Sequence, residues 1–399
     1  MALKIAIIGA GPVSLTLANI LQNKSIPFTL YEATDEFRHQ GGSLDLHPES
    51  GQLALEKAGL LDQFNKHARP EDDCLKLVDT SGEVLWDEDG AEKQAVAADA
   101  RFHGRPEIDR AKLTTILSEN LNNEAIKFCK KLTKVVPNSK TEKKYDLHFA
   151  DGSVEEDFDL VVGGDGAWSK VRPLLTDVKP HYSGISSLEL WCNDANNTNP
   201  WLASYVGPGM LMSMGEGLSV AAQRQGDGSI RSYASLRVPK DFWSTCGINW
   251  DDHDTARRHF VEKNLDHIGD DLKRIILESK DQLVPRTLYE LPVGLTWDSR
   301  PGVTLIGDAA HLMTPFAGVG VNVGMTDSLV LAQEIVAASK GEKSLDEAIE
   351  AYEKEMFPRS TKYATKTMKN KTKHFKKDGA REFANMMRAI LAGKMEAPQ

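Results

Sequence analysis

Three short apolar runs, at residues 4–8, 160–162 and 303–306, each lead straight into a glycine turn, and together they predict an α/β fold. In that fold a Rossmann-like nucleotide-binding domain is assembled from three stretches of chain, residues 1–70, 98–178 and 285–340. Residues 71–97 and 179–284 carry strand-like runs without such turns and predict a second domain on a mostly antiparallel sheet. A helical pattern from residue 344 onward predicts a C-terminal segment, 341–399, dominated by one long helix.

Composition sets the outer limits. The 399 residues suffice for two or three domains. Hydrophobic residues at 41% and charged residues at 27% are ordinary for a globular chain, and a net charge of −10 argues against a nucleic-acid surface. No apolar run approaches the roughly 18 residues of a membrane span. The run at 5–8 follows Lys4 and flows into glycines, as a strand does and a signal peptide does not. A cytoplasmic monomer without membrane or nucleic-acid partners is expected. Cys74, Cys129, Cys192 and Cys246 form no C-x-x-C pair, which excludes a local dithiol centre and predicts free thiols and no metal site.

The first element is the stretch "AIIGAGPVSLTLANIL". A strand at 4–8, the turn Gly9-Ala10-Gly11-Pro12, a helix over 13–23 and a strand over 28–31 ending in Glu32 follow the order of a dinucleotide fingerprint. Glu32 stands 23 residues after Gly9, close to the spacing of a ribose-binding acid. Gly9 makes the tight turn, and Gly11 lets backbone N–H groups approach a pyrophosphate at the helix N-terminus. Ser14 stands where the pattern has its third glycine, whose task is helix–strand packing. Glu32 favours a free ribose diol, as in FAD or NAD, over a 2′-phosphate.

The second element is "FDLVVGGDGAWSKVR", residues 158–172: a buried strand, a glycine turn carrying Asp165, and a helix entry at 169–172. The third runs from Gly302 to Ala332, where a buried strand ends in Gly307-Asp308 and the loop 315–320 leads into a helix near Asn322. The partial positive charge of that helix start suits an anionic ring edge.

These three motifs, in this order over residues 6–332, resemble the single-component FAD-dependent aromatic hydroxylases typified by para-hydroxybenzoate hydroxylase. The resemblance implies that Gly9, Gly11, Pro12, Val13 and Ser14 hold the ADP half of FAD, with Glu32 on its ribose. Asp165 then serves FAD and pyridine nucleotide, Gly307 and Asp308 the ribityl–pyrophosphate part, and Pro315, Gly318, Gly320, Val321 and Asn322 the isoalloxazine. Two further segments, "GGSLDLHPESGQLALEKAGL" and "RPEIDRAKL", resemble the tetracycline-inactivating flavin monooxygenases, the tetracycline destructases. By that likeness Gly42, Asp45 and Arg110 contact FAD, Leu132 offers a backbone contact near the adenine, and Arg38 docks NADPH. The implied activity is monooxygenation of an aromatic or polycyclic small molecule by O2 through a flavin C4a-hydroperoxide. A single complete fingerprint fits NADPH as a transient co-substrate. No catalytic base is assigned, and His47 and His311 are expected to be structural.

In the second domain, "LELWC", "WLASYV", "MLMSM", "LSVAAQ" and "SYASLRV" predict strands. Trp191, Ser204, Met210, Met212 and Tyr233, with Pro315, Phe316 and Gly318, are the candidate substrate pocket. Ser204 and Met210 stand about where the destructases carry a glutamine and an arginine, so this pocket is more apolar and argues against tetracycline. In the tail, Pro358 predicts a kink or helix boundary. Residues 359–377 hold eight lysines and arginines and no acid, the pattern of a solvated basic face. The alternatives are an FAD-dependent dehydrogenase without oxygen insertion and a non-catalytic flavoprotein that sequesters a ligand.

Overall fold

The computed structural model describes residues 3–37, 41–93, 104–141 and 143–394. The chain divides into two compact units. The first comprises Met1–His67, Arg110–His181 and Tyr289–Met368; the second comprises Ala68–Asp109, Tyr182–Leu288 and Lys369–Gln399.

In the first unit a five-stranded parallel sheet runs in the order Val303–Leu305, Leu160–Gly163, Ile5–Ile8, Thr29–Tyr31, Ile126–Lys127. The central strands are apolar at every position because both faces are covered, which is why they read as unbroken hydrophobic runs. Helix Pro12–Asn23 lies against helix Gly320–Ser339 and helix Arg110–Glu119. A separate antiparallel sheet of Leu132–Pro137, Tyr145–Phe149 and Val154–Phe158 completes this unit.

The second unit is built on a seven-stranded sheet in the order Leu283–Glu290, His181–Cys192, Ile230–Arg237, Leu218–Arg224, Met210–Gly215, Leu75–Val78, Val84–Asp87. Its successive pairings from His181–Cys192 to Met210–Gly215 are antiparallel, whereas Met210–Gly215 runs parallel to Leu75–Val78. Alternation along the strands sends Leu188, Leu190, Ile230, Ala234, Val220 and Leu211 to one face, where they form a core with Phe260, Leu272 and Ile276 of two covering helices. On the other face, helix Gly379–Leu391 covers Leu77, Leu85, Trp86 and Met214 with Ala380, Ala384 and Met387.

Four local expectations change. "WLASYV" is a helix, Pro200–Val206, because the Asn199 side chain accepts a hydrogen bond from the Leu202 N–H and Pro200 takes the first helical position. The helix entry at 169–172 is only a 3₁₀ turn, Arg172–Leu174. Helix Leu345–His374 continues through Pro358, held by a buried stripe that includes Ala348, Tyr352, Met356 and Ser360 at a four-residue spacing. The C-terminal segment forms no unit of its own, since Tyr352 and Glu353 bond into the first unit and Ala384 packs in the second; residues 104–109 also fall in the second unit. Among the described residues no helix is long and apolar enough to cross a membrane.

The stripe on the long helix contains a buried acid. Glu353 accepts hydrogen bonds from Trp297 Nε1 at 2.9 Å and Thr304 Oγ1 at 2.8 Å, and its other oxygen is buried without a partner. Burial pushes its carboxyl above the ordinary value of 4.5, against the lowering effect of those hydrogen bonds. The folded group keeps its proton to higher pH than the unfolded chain. Its contribution is therefore complete below 4.5 and fades as pH rises through the raised value. Urea unfolding from about pH 5 to pH 8 should show this decline, and Glu353→Gln should flatten it. Glu353→Leu should instead cost ~1–3 kcal/mol for each donor left unpaired.

Candidate active site

At the carboxyl ends of three neighbouring parallel strands the first unit brings its glycine turns together. Gly9 has φ +89° and lies so close to the second turn that a Cβ would stand 2.8 Å from the Gly164 carbonyl oxygen. A Cβ on Gly164 would overlap Ser14 Oγ. The third glycine of the fingerprint is thus missing from the helix but present across the contact, and the close approach survives. Val13 fills the space beside the third turn, where a Cβ on Gly324 would meet its Cγ2 at 2.6 Å.

Gly11 differs from these packing glycines: a Cβ there would meet nothing within 4 Å. It caps the Pro12–Asn23 helix in extended geometry, so the first helical N–H groups face open space. Glu32 is buried beside them. One of its oxygens accepts the Ala10 N–H at 2.9 Å, and the other accepts the Thr34 N–H at 3.0 Å and its hydroxyl at 2.8 Å. It therefore ties the second strand to the glycine turn, and Oε2, which accepts only the Ala10 N–H, keeps lone-pair capacity for a hydroxyl donor.

Asp165 accepts the Lys170 N–H through Oδ2 at 2.6 Å, while Oδ1 is buried without a partner. Burial raises its carboxyl above the usual carboxylate range, against these hydrogen bonds and the nearby Arg172. Asp308 stands exposed at the start of the short helix Asp308–His311, after Gly307 at φ +57°. The 3₁₀ turn Pro315–Ala317 and Gly318 at φ +65° lead to helix Gly320–Ser339. Gly320 has open space at its Cβ position, and the N–H groups of Gly320, Val321 and Asn322 lie in the helix's unpaired first turn.

Asn322 contributes differently from expectation. Its side-chain oxygen accepts from His47 N at 2.9 Å, Ser50 Oγ at 3.1 Å and Gly51 N at 3.3 Å, and its amide donates to the Asp45 carbonyl at 2.8 Å. The side chain pins the loop that presents Asp45, and its backbone N–H lies in the unpaired first turn of the helix. Asp45 Oδ2 meets His47 Nε2 at 3.0 Å. The Arg110 side chain crosses Gly41, where a Cβ would overlap it, and its Nε is buried without a partner; the Arg110 N–H donates to the Gly42 carbonyl at 3.1 Å. Leu132 is buried and pairs with Phe149 in the smaller sheet. Arg38 lies outside the described residues.

Two buried groups escaped the sequence reading. Arg172 donates to the carbonyls of Ala309 at 2.7 Å, Ala167 at 2.9 Å and Asp308 at 3.2 Å, clamping the second turn to the third. Asp327, fully buried, accepts the Gly307 N–H at 2.9 Å and His311 Nε2 at 2.6 Å through Oδ2, and Arg359 at 3.0 Å through Oδ1. The available signal was an acid inside the apolar run "VNVGMTDSLVLA". His311 is raised: burial alone would lower it, but the Asp327 charge and hydrogen bond outweigh that, while His311 and Arg359 hold Asp327 below its usual range despite burial.

In the second unit, Trp191, Met210, Met212 and Tyr233 share the sheet face opposite the helix-packed core. Register places Met210, Gln223, Arg231 and Trp191 in one cross-strand row, and Met212, Ala221, Tyr233 and Glu189 in the next. Met212 also packs against the cluster under helix Gly379–Leu391. Ser204 does not join them: it is exposed on helix Pro200–Val206, whose buried side packs on the opposite face. Pro315 and Gly318 are exposed and Phe316 half-buried in the first unit.

The first unit therefore offers two helix N-termini, cradles at Gly11 and Gly320 that a side chain would fill, and an unmatched donor and acceptor at Arg110 Nε and Asp165 Oδ1. These fit a dinucleotide with a ribose, a pyrophosphate and a polar ring edge. Comparison with known proteins agrees. Residues 2–367 match the family model described as FAD binding domain. The chain is 31% identical to monooxygenase asqM of Emericella nidulans, covering 96% of this chain and 98% of that one. Its fold is shared with Klebsiella pneumoniae HpxO, whose crystal structure holds FAD and uric acid (TM-score 0.77, 21% identity, 98% of this chain and 95% of that one). It is also shared with tetracycline destructase Tet(51) (TM-score 0.69, 18% identity, 100% of both chains). The chain belongs to this FAD-binding family, and it is an FAD-dependent monooxygenase.

Proposed function

We propose that the enzyme hydroxylates or epoxidises an aromatic or polycyclic small molecule, with NADPH as a transient reductant. One atom of O2 enters the product and the other leaves as water, with NADPH and a proton supplying the electrons and hydrogen. The observation that carries this reading is the Gly11 cradle, where the protein leaves space that no packing demand explains. When bound, FAD supplies hydride acceptance and oxygen activation. Gly9, Gly11, Pro12, Val13 and Ser14 would present backbone to its pyrophosphate, and Glu32 would accept from its ribose. Arg110 donates through Nε, with Gly42, Asp45, Leu132, Asp165, Gly307 and Asp308 completing the contacts. The first turn of helix Gly320–Ser339, approached through Pro315 and Gly318, would offer partial positive charge to a polar ring edge of the cofactor. The apolar groups Trp191, Met210, Met212 and Tyr233 hold the substrate and exclude water. NADPH docks through Arg38 and departs as NADP+ after giving up its hydride, which accords with the single dinucleotide fingerprint.

The decisive experiment screens phenols, polyketides, indole alkaloids and tetracyclines for NADPH oxidation by the FAD-loaded enzyme, with product mass. A gain of one oxygen atom is expected. Loss of two hydrogens identifies a dehydrogenase, and binding without turnover a sequestering protein.

The two kinds of glycine contact separate cofactor binding from folding. Gly11→Val should leave the apo fold intact yet lower FAD affinity at least about tenfold, the effect of losing ~1.5–3 kcal/mol of charge-assisted hydrogen bonding. Ser14→Gly should change FAD affinity little. Equal effects in a fluorescence titration of FAD would show that the cradle is misassigned.

Asp327→Asn removes the charge opposing Arg359 and His311 and should cost ~3–5 kcal/mol in urea unfolding; a loss below about 1 kcal/mol counts against the assignment. The pH signs follow from the shifts. The contribution of His311 is complete below its ordinary 6.5 and fades as pH rises through its raised value. That of Asp327 is complete above its ordinary 3.8 and fades as pH falls through its lowered value. His311→Gln should remove the part of the alkaline decline that begins above 6.5.

A further inference from the structure

We propose that His311 and Asp327 latch the turn at residues 307–311, so that FAD is held tightly while His311 carries its proton and more loosely once it is neutral. The inference rests on the assignment of Gly307 and Asp308 to FAD, and adds a control of how firmly that site holds it.

The observation is one oxygen with two tethers. Asp327 Oδ2 accepts the Gly307 N–H at 2.9 Å and meets His311 Nε2 at 2.6 Å. Gly307 precedes the short helix Asp308–His311 and His311 ends it, so both ends of the turn are tied to one carboxylate, with Asp308 between them. Asp327 is fully buried and His311 is 7% exposed. Burial alone would lower His311, but the charge and hydrogen bond of Asp327 raise it above its ordinary 6.5.

Other charged groups approach from each neighbouring element. Arg359 of helix Leu345–His374 meets Asp327 Oδ1 at 3.0 Å and pairs with the exposed Glu355 at 3.0 Å. The Tyr352 hydroxyl, on the same helix, donates to the Leu305 carbonyl at 2.8 Å. Asp308 stands on the same short helix as His311, and Arg172 donates to the carbonyls of Asp308 at 3.2 Å and Ala309 at 2.7 Å. The segment 291–295 brings no titratable side chain. With Leu312, Ser360 and Ala364 it walls a small cavity that reaches His311, and the rim residues Pro292 and Gly294 are exposed. The buried imidazole thus has a route by which its proton exchanges with solvent.

The sign follows from the charge. Loss of the proton subtracts one positive charge behind a turn assigned to an anionic part of the cofactor, and it turns a charge-assisted hydrogen bond into a weaker one. Both changes weaken a site for an anion. The latch is closed below the ordinary 6.5, and FAD affinity falls as pH rises through the raised value of His311. By linkage, binding FAD takes up protons in that same range.

The test titrates the full chain with FAD from about pH 6 to pH 9 by flavin fluorescence, and counts protons by calorimetry in two buffers of different ionisation enthalpy. The dissociation constant should rise at least about fivefold, the lower end of coupling between sites, with proton uptake where it rises. His311→Gln should bind with the weaker, high-pH affinity throughout and without that uptake. Arg359→Met, which removes the cation competing with His311 for Asp327, should move the fall to higher pH. A merely structural pair, when replaced, lowers affinity equally at every pH and takes up no protons. Should His311→Gln fail to fold, the displaced midpoint in Arg359→Met decides. A wild-type affinity that is flat with pH, a decline that persists in His311→Gln, or an unmoved midpoint in Arg359→Met overturns the proposal. A protein that takes up no FAD at any pH overturns the cofactor assignment itself, which separates the two failures.

Discussion

Everything in the first unit depends on how closely three backbone turns approach one another at the ends of its parallel strands. Gly9 lies against Gly164, Gly164 against Ser14, and Gly324 beside Val13, each with less room than a side chain requires. This crowding aligns the N-termini of the helices Pro12–Asn23 and Gly320–Ser339 toward space that the protein itself does not fill. The cradle follows from that geometry. Its donors are backbone N–H groups, so their positions are as rigid as the sheet, and no side-chain entropy is lost in arranging them.

Such turns need to be held, and buried charge holds them. Arg172 ties the second turn to the third through carbonyl oxygens, and Asp327 secures the Gly307 N–H while answering His311 and Arg359. Each is expensive to bury alone and stable only as part of its network. Glu353 is the contrast: it has hydrogen-bond donors but no cation, so burial raises its pKa, whereas that of Asp327 is lowered. Two acids on neighbouring helices thus respond to pH in opposite directions, for a reason visible in their partners.

The parallel-sheet fold was legible in the sequence because glycine turns after buried strands have few alternative explanations. The order of motifs located the cradle, and Gly9, Gly11 and Glu32 lie in one place. What escaped was what depends on partners far away in the chain. Asp327 and Arg359 are 32 residues apart, and Arg172 reaches Ala309 across 137, so no local pattern announces either. "WLASYV" failed for a nearer reason: Asn199 and Pro200 start a helix there despite residues that favour a strand. Asn322 shows an intermediate case, correctly placed beside the helix start but with its side chain committed to the 45–51 loop.

Cofactor and substrate recognition are encoded in different currencies. A dinucleotide is recognised by backbone, so the residues that matter are those without side chains, and their spacing is readable along the chain. The proposed substrate face is written in side chains contributed by four strands, and its meaning appears only when the register is known. Trp191 and Tyr233 look like ordinary core aromatics until the register sets them on one face with Met210 and Met212. A hydrophobic surface alone discriminates weakly among aromatic molecules, since a missing apolar contact costs only ~1–3 kcal/mol. A buried donor left unmatched by the wrong ligand discriminates far more sharply.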